Sequence, residues 1–359
     1  MRVGILTFHD ALNYGAVLQC YALQNTLMNL GYEVEVIDYK NDFINKFYSP
    51  FYIEKFNLKK IAYMFYAFNS KVKRNKIFKN FRTQYLKLSK TKYNKDNIED
   101  ADNIYDVIIV GSDQVWNLEQ TDGDLNYLLK FAKTTICCSY AASFGISCIA
   151  DELKDSYIEN LSKFRDISVR EKSGKQIVKE LANKEASVNV DPTLLLPKEE
   201  WKRITNEDAS SEKYICVYKI NLSQGYKYAK QLSKETGLKV IVLKPDRSCP
   251  NEFEKMKYAS PTDFLKTIAN AEYVITDSFH GCVFSIIFEK KFIACLDSRA
   301  NNKNTRITEL LDSTGLQNRL INDELKVLEI QKEINYLSVK EKLMVEREKS
   351  IKYLEAIRN

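Results

Sequence analysis

The apolar positions of this chain alternate between two periodicities. Short runs rich in Val, Ile and Tyr, at residues 3–8, 33–39, 105–111, 134–141 and 167–169, have the length and composition of strands. Between them Val17, Leu18, Tyr21, Ala22, Leu27 and Leu30 recur at helical spacing and stop at Gly31, and residues 172–182 form a further helical stretch. Strand, helix and strand within the first 40 residues imply a crossover connection and a parallel sheet. The run Val188-Asn189-Val190-Asp191 closes the first half, because Pro192 cannot continue a central strand.

The second half repeats this order. Residues 214–218, 239–243, 273–276 and 292–296 read as strands, and 226–236, 261–270, 282–288 and 306–313 as helices, two of them closed by Gly237 and Gly315. From Asp323 onward charged residues with recurring Leu, Ile and Val predict one or two long helices. The expected fold is α/β: two doubly wound, Rossmann-like parallel-sheet domains, 1–200 and 201–359, facing each other across a cleft. Their boundary is expected near 195–212, where charged and small polar residues gather.

Residues 41–100 interrupt the pattern. Ile61, Phe65, Phe68 and Val72 recur at helical spacing, as do Ile77, Phe81 and Tyr85. From Glu54 to Asp96 there are 13 Lys or Arg and only those two acidic residues, more positive charge than the net +6 of the whole 359-residue chain. A solvated helical hairpin covering the sheet is one reading. A surface drawn to an anionic membrane is another, each Lys or Arg there contributing about 1 kcal/mol. No recognised motif supports nucleic-acid binding, and none is expected.

Composition narrows the setting. With 45% apolar and 28% charged residues the chain is an ordinary globular one. No apolar run approaches the roughly 18 residues of a membrane span, and the N-terminal run is too short for a signal peptide. Eight cysteines, two of them adjacent at 137 and 138 and none in a C-x-x-C pair, fit free thiols in a reducing cytoplasm and predict no metal site. The expected location is cytoplasmic, with peripheral contact at the inner membrane face through 54–96.

Ligands of open parallel sheets bind beyond the carboxyl ends of the strands, so polar residues there carry the chemistry. Asn13-Tyr14-Gly15-Ala16 precedes a helix and is either an anion-holding turn or a plain strand-to-helix turn. Gly111-Ser112-Asp113-Gln114 and Ala142-Ser143-Phe144-Gly145 follow two further strands. Arg170 has the fork that matches carboxylate or phosphate, or is an ion-pair partner of Glu171 or Asp166. In the second half Thr276-Asp277-Ser278-Phe279-His280-Gly281 follows a strand and opens an apolar helix. His280 can shuttle a proton near neutral pH, or cap a helix, and the small Gly281 leaves room for a substrate. Asp277 is a candidate base or an N-cap. Arg306, after the polar loop 301–305, is a second candidate cation. Trp116 is a sugar-stacking or a core residue, and His9 reads as structural.

In order and spacing these stretches resemble the polysaccharide pyruvyl transferase family. The resemblance runs through Asn13-Tyr14-Gly15-Ala16 and Gln19, Val110-Gly111-Ser112-Asp113-Gln114-Val115-Trp116-Asn117, Tyr140-Ala141-Ala142-Ser143-Phe144-Gly145, Ser168-Val169-Arg170-Glu171, Val190-Asp191-Pro192-Thr193 and Thr276-Asp277-Ser278-Phe279-His280-Gly281, over about residues 1–315. It implies a GT-B-like fold and transfer of a pyruvyl group from phosphoenolpyruvate to a hydroxyl or diol of a cell-surface sugar. Phosphoenolpyruvate is then a substrate, with no further cofactor, and the acceptor is a sugar or a lipid-linked oligosaccharide. It makes His280, with Asp277, the acid/base group and Arg170 a donor-binding residue; the remaining substrate-binding candidates are Asn13, Tyr14, Gly15, Ser112, Asp113, Ser143, Ser278 and Arg306. Many members carry an arginine two residues before the histidine, where this chain has Ser278, so that clamp is absent unless Arg306 supplies it. A sugar-nucleotide-dependent glycosyltransferase and a non-catalytic partner in polysaccharide or capsule assembly are the alternatives.

Overall fold

The computed structural model describes residues 1–49, 51, 58–205, 212–218, 224–296, 305–321 and 329–358, with side chains left undescribed at 58–67 and 224. The start of the basic segment at 54–57, much of the expected boundary at 206–211, the loop 301–304 and the stretch 323–328 lie outside the described residues. The chain divides into two compact units, 1–195 with 347–359, and 196–346.

The first unit holds β1 (Arg2–Leu6), β2 (Glu33–Tyr39), β3 (Leu88–Tyr93), β4 (Val107–Val110), β5 (Ile136–Ser139) and β6 (Phe164–Asp166), all paired in parallel in the order β3-β2-β1-β4-β5-β6. A two-stranded parallel ladder, β7 (Ser168–Val169) and β8 (Ser187–Val188), follows. The second unit repeats the order with β9 (Ile215–Tyr218), β10 (Val240–Leu243), β11 (Glu254–Met256), β12 (Tyr273–Thr276), β13 (Lys291–Cys295) and β14 (Leu320–Ile321), arranged β11-β10-β9-β12-β13-β14. Central strands such as β4 (VIIV) and β10 (VIVL) are buried at every position. That is why they read as unbroken apolar runs rather than as alternation.

Helices connect the strands. In the first unit these are α1 (Tyr14–Asn29), α2 (Asp42–Tyr48), α3 (Leu58–Tyr85), α4 (Asp151–Ser162) and α5 (Lys172–Ala182). α1 ends with Gly31 N–H on the Met28 carbonyl and Tyr32 N–H on the Leu27 carbonyl, the paired bonds of a Schellman stop. The second unit holds α6 (Lys198–Thr205), α7 (Gln224–Thr236), α8 (Pro261–Asn270), α9 (Phe279–Ile287) and α10 (Thr305–Thr314). α8 starts with a capping box between Ser260 and Asp263 and has Pro261 at its first position. All nine residues of α9 are buried, as its apolar sequence requires.

Two expectations change. The basic segment forms one 28-residue helix, α3, rather than a hairpin; Phe78 and Phe81 are buried, Phe78 stacking on Tyr14 of α1 at 5.4 Å. The final helix, α11 (Tyr336–Ala356), does not belong wholly to the second domain, because residues from 347 onward group with the first unit. The physical reason is a set of specific bonds. Tyr32 donates to the Leu354 carbonyl (2.7 Å), Tyr353 to the Ser139 carbonyl (2.8 Å) and Arg165 to the Ile357 carbonyl (2.7 Å).

Asp102 anchors the entry to β5. Its carboxylate accepts from the backbone N–H groups of Lys133, Thr134 and Thr135, each at 3.0 Å. Burial pushes this carboxyl up, but the three N–H donors outweigh it and hold it below its ordinary value. A depressed acid stabilises the fold above its unfolded value, about 3.9, and loses that contribution as pH falls through the lower folded value. Asp102→Asn is expected to cost about 1–3 kcal/mol in urea unfolding at pH 7. The deficit should shrink as the pH drops below about 4; a deficit independent of pH would contradict this role.

Candidate functional site

Both sheets reverse strand order between their first strand and their fourth, so each has a switch point: β1/β4 in the first unit and β9/β12 in the second. In each, a threonine hydroxyl ties the two strand ends together. Thr7 donates to the Ser112 carbonyl (3.0 Å), and Thr276 to the Tyr218 carbonyl (2.6 Å).

In the first unit three predicted motifs lie side by side just beyond the strands. Single bridges join Asp113 to Ala142 and Ala142 to Val169, extending the ladder past β4 and β5. Ser143 N–H donates to the Asp113 carbonyl at 3.0 Å, and Arg170 N–H to the Ala142 carbonyl at 3.1 Å. Asp113 (φ 73°) and Ala141 (φ 48°) both adopt the left-handed conformation, which costs roughly 1–2 kcal/mol for a residue with a Cβ. Such strain at strand ends persists where the surroundings fix it, a common property of ligand sites. Gly145 interlocks two of the motifs, since a Cβ there would overlap the side chain of Gln114.

Arg170 sits at the centre of this cluster, 7% exposed. Its Nη1 donates to Asp191 Oδ2 (2.8 Å), its Nε donates to Glu171 Oε1 (2.9 Å), and its Nη2 is 3.8 Å from Asp113 Oδ1. Ser112 Oγ donates to the same Asp191 oxygen at 3.1 Å, while Asp191 Oδ1 accepts from the Thr193 N–H and hydroxyl at 3.0 and 2.7 Å. Burial disfavours the guanidinium charge, yet Glu171, Asp191 and Asp113 outweigh it and raise the Arg170 pKa above its ordinary value. The ion pair with Glu171 considered from sequence is therefore present, but it is buried and it has further carboxylate neighbours. Asp191 was absent from the predicted site residues, although an Asp before Pro-Thr is a recognisable cap signal.

Asn13 caps α1 through a bond from Gly15 N–H to its side-chain oxygen (2.9 Å), and Tyr14 is buried against Phe78. The motif builds a capped strand-to-helix turn. Trp116 is fully buried and packs on Phe144 and Phe164, so it is a core residue. His9 is buried too, with Nε2 3.0 Å from Asp38 Oδ1 and Nδ1 3.3 Å from the Thr7 carbonyl.

In the second unit His280 lies in the first turn of α9, 7% exposed, its ring edge-to-face with Phe279 at 5.1 Å. The guanidinium of Arg306, in the first turn of α10, stands 5.9 Å from the centre of the same Phe279 ring. Phe279 thereby brings Arg306 and His280 to one locality. The cap of α9 is Ser278, whose Oγ accepts from Gly281 N–H at 3.3 Å; it is not Asp277, which is half-buried beside it. Gly281 also serves packing, since a Cβ would overlap Thr276 Oγ1. Among the described residues no three of His, Cys, Asp and Glu converge as a metal set, and no helix is long and apolar enough to cross a membrane.

A family model for polysaccharide pyruvyl transferase matches residues 13–299, four-fifths of the sequence and all of the strand-end motifs. The chain belongs to the polysaccharide pyruvyl transferase family. No curated protein matches it. Among solved structures this pyruvyl transferase family member is similar to a UDP-GlcNAc 2-epimerase of Methanocaldococcus jannaschii, at TM-score 0.53 and 12% identity over 92% of both chains. It is also similar to a putative UDP-N-acetylglucosamine 2-epimerase of Listeria monocytogenes, at TM-score 0.52 and 10% identity over 96% of this chain and 89% of that one. At such identities the likeness speaks to fold alone, which is GT-B-like.

The pairing in the first unit makes a direct prediction. Arg170→Ala leaves Asp191 and Glu171 buried without their cation, and should cost about 3–5 kcal/mol in urea unfolding. A loss below about 1 kcal/mol would contradict a buried, paired role.

Proposed function

We propose that this protein transfers a pyruvyl group from phosphoenolpyruvate to a hydroxyl or diol of a cell-surface polysaccharide or its precursor. The observation that carries the reading is the grouping of His280, Arg306 and Asp277 at the start of α9, beyond the switch point of the second sheet. A helix start favours anions, and a guanidinium matches carboxylate or phosphate with two parallel bonds. Arg306 replaces the clamp that Ser278 cannot supply. His280 gives a proton to the methylene carbon of phosphoenolpyruvate, and the adjacent carbon becomes oxocarbenium-like. A sugar hydroxyl adds to that carbon and releases its proton, with Asp277 orienting the imidazole. Attack of a second hydroxyl expels inorganic phosphate and closes a cyclic ketal. In this reading Arg170, whose charge is already balanced by carboxylates, is a positioning residue that holds Ser112 and Asp113 at the strand ends.

A sugar-nucleotide donor is the second reading. It is favoured by the fold's likeness to an epimerase described in complex with UDP-GlcNAc and UDP. Calorimetric titration separates the two. Phosphoenolpyruvate is expected to bind, Arg306→Ala to weaken it at least tenfold, and His280→Ala to bind it without turnover. Binding of UDP-sugars with no response to phosphoenolpyruvate would replace pyruvyl transfer with glycosyl transfer, and binding of neither would favour a non-catalytic partner.

Peripheral membrane contact belongs to the same proposal. Phe47 and Phe51 are exposed, and Phe51 packs on Phe68 of the lysine-rich α3. Cosedimentation with anionic vesicles should fall for Phe51→Ala, and equal sedimentation with neutral vesicles would argue against the contact.

A further inference from the structure

A cavity of about 330 Å³ opens in the first unit among the end of β2, the strand β3 and the helices α2 and α3. Its floor is an ordered set of charges. Lys40 contacts Asp10 at 2.6 Å and Asp38 at 3.0 Å, Arg82 contacts Asp10 at 2.6 Å, and His9 Nε2 meets the same Asp38 oxygen as Lys40, at 3.0 Å. Burial pushes the Asp38 carboxyl up, but His9 and Lys40 outweigh it and keep it well below its ordinary value. It is therefore a fixed acceptor at neutral pH and a poor base. Asn45 and Tyr48 of α2 add an amide and an aromatic face. Two more cations line the opening, Lys79 on α3 and Lys92 on β3, and neither makes an ion pair with a described residue. The cavity thus carries four cations against two carboxylates, and both carboxylates are already paired.

Alternating donors and acceptors held in place suit vicinal hydroxyls, which both give and accept hydrogen bonds. The unmatched positive charge at the rim suits an anionic substituent. The volume is near the lower end of small-molecule sites, about 300–1,000 Å³, enough for one sugar ring and its substituent. We propose that this cavity binds a sugar bearing an anionic group, with its hydroxyls on the Asp10, Asp38 and Lys40 set and its anion on Lys79 and Lys92. Naming that sugar as the acceptor rests on the proposed pyruvyl transfer; the binding itself does not.

The test is saturation-transfer NMR on the full chain at fixed ionic strength, with glucuronate, glucose 6-phosphate, glucose and inorganic phosphate as probes. Glucuronate or glucose 6-phosphate is expected to bind at least tenfold more tightly than glucose, and whichever binds names the anion as carboxylate or phosphate. The double variant Lys79→Ala/Lys92→Ala should erase that preference. Lys73→Ala/Lys76→Ala, an equal charge change on α3 outside the cavity, should keep it. Both lysines of the first pair are exposed, so the variant is expected to fold. No binding of either charged sugar, equal binding of glucose, an unchanged preference in the Lys79/Lys92 variant, or inorganic phosphate binding as well as the sugar phosphate would overturn the proposal. Phosphoenolpyruvate titrated into the same samples keeps the two readings separate. Its failure to bind wild-type protein would sink pyruvyl transfer and leave the sugar result standing.

Discussion

The buried charge of Arg170 is the constraint from which the first unit's strand-end geometry follows. A guanidinium out of water is tolerated only with close carboxylates, and Asp191, Glu171 and Asp113 meet it from three chain segments. Asp191 in turn holds Ser112 and starts the turn through Thr193, so one ion-pair network fixes the loops after β4, β7 and β8 together. With three carboxylates around one guanidinium, the network ties these strand ends together.

The second unit reaches the same topology with a different chemistry at its switch point. Thr276 ties β9 to β12 and occupies the space that Gly281 leaves, which sets the start of α9 close against the sheet. Ser278 closes the helix start, and Phe279 joins His280 to Arg306.

How much was legible in the sequence follows from burial. Strands covered on both faces, such as β4 and β10, announce themselves as apolar runs. The edge strands β3 and β11 do not, because Lys90, Lys92 and Lys255 lie in them and their outward positions are polar. The fate of the last helix was also hidden. Its charged sequence says that it is a helix, but Tyr32, Ser139 and Arg165, far away in the chain, decide that its end packs on the first unit. Motif order singled out Arg170, Ser112, Asp113 and His280 as candidates. It could not reveal that Arg170 is enclosed by carboxylates, that Ser278 rather than Asp277 is the cap, or that Gly281 accommodates Thr276. The cavity under Lys79 and Lys92 left no local signal at all, because its charged residues come from positions 10, 38, 40, 79, 82 and 92.

The central claim is that a proton from the second unit's histidine reaches the methylene of phosphoenolpyruvate. Proton NMR in deuterium oxide, with phosphoenolpyruvate and an acidic oligosaccharide pool, tests it most directly. The account predicts a ketal methyl carrying one solvent-derived deuterium, one inorganic phosphate released per ketal, and loss of both in His280→Asn. Phosphoenolpyruvate left unlabelled and unconsumed, while a UDP-sugar is turned over in the same mixture, would contradict it.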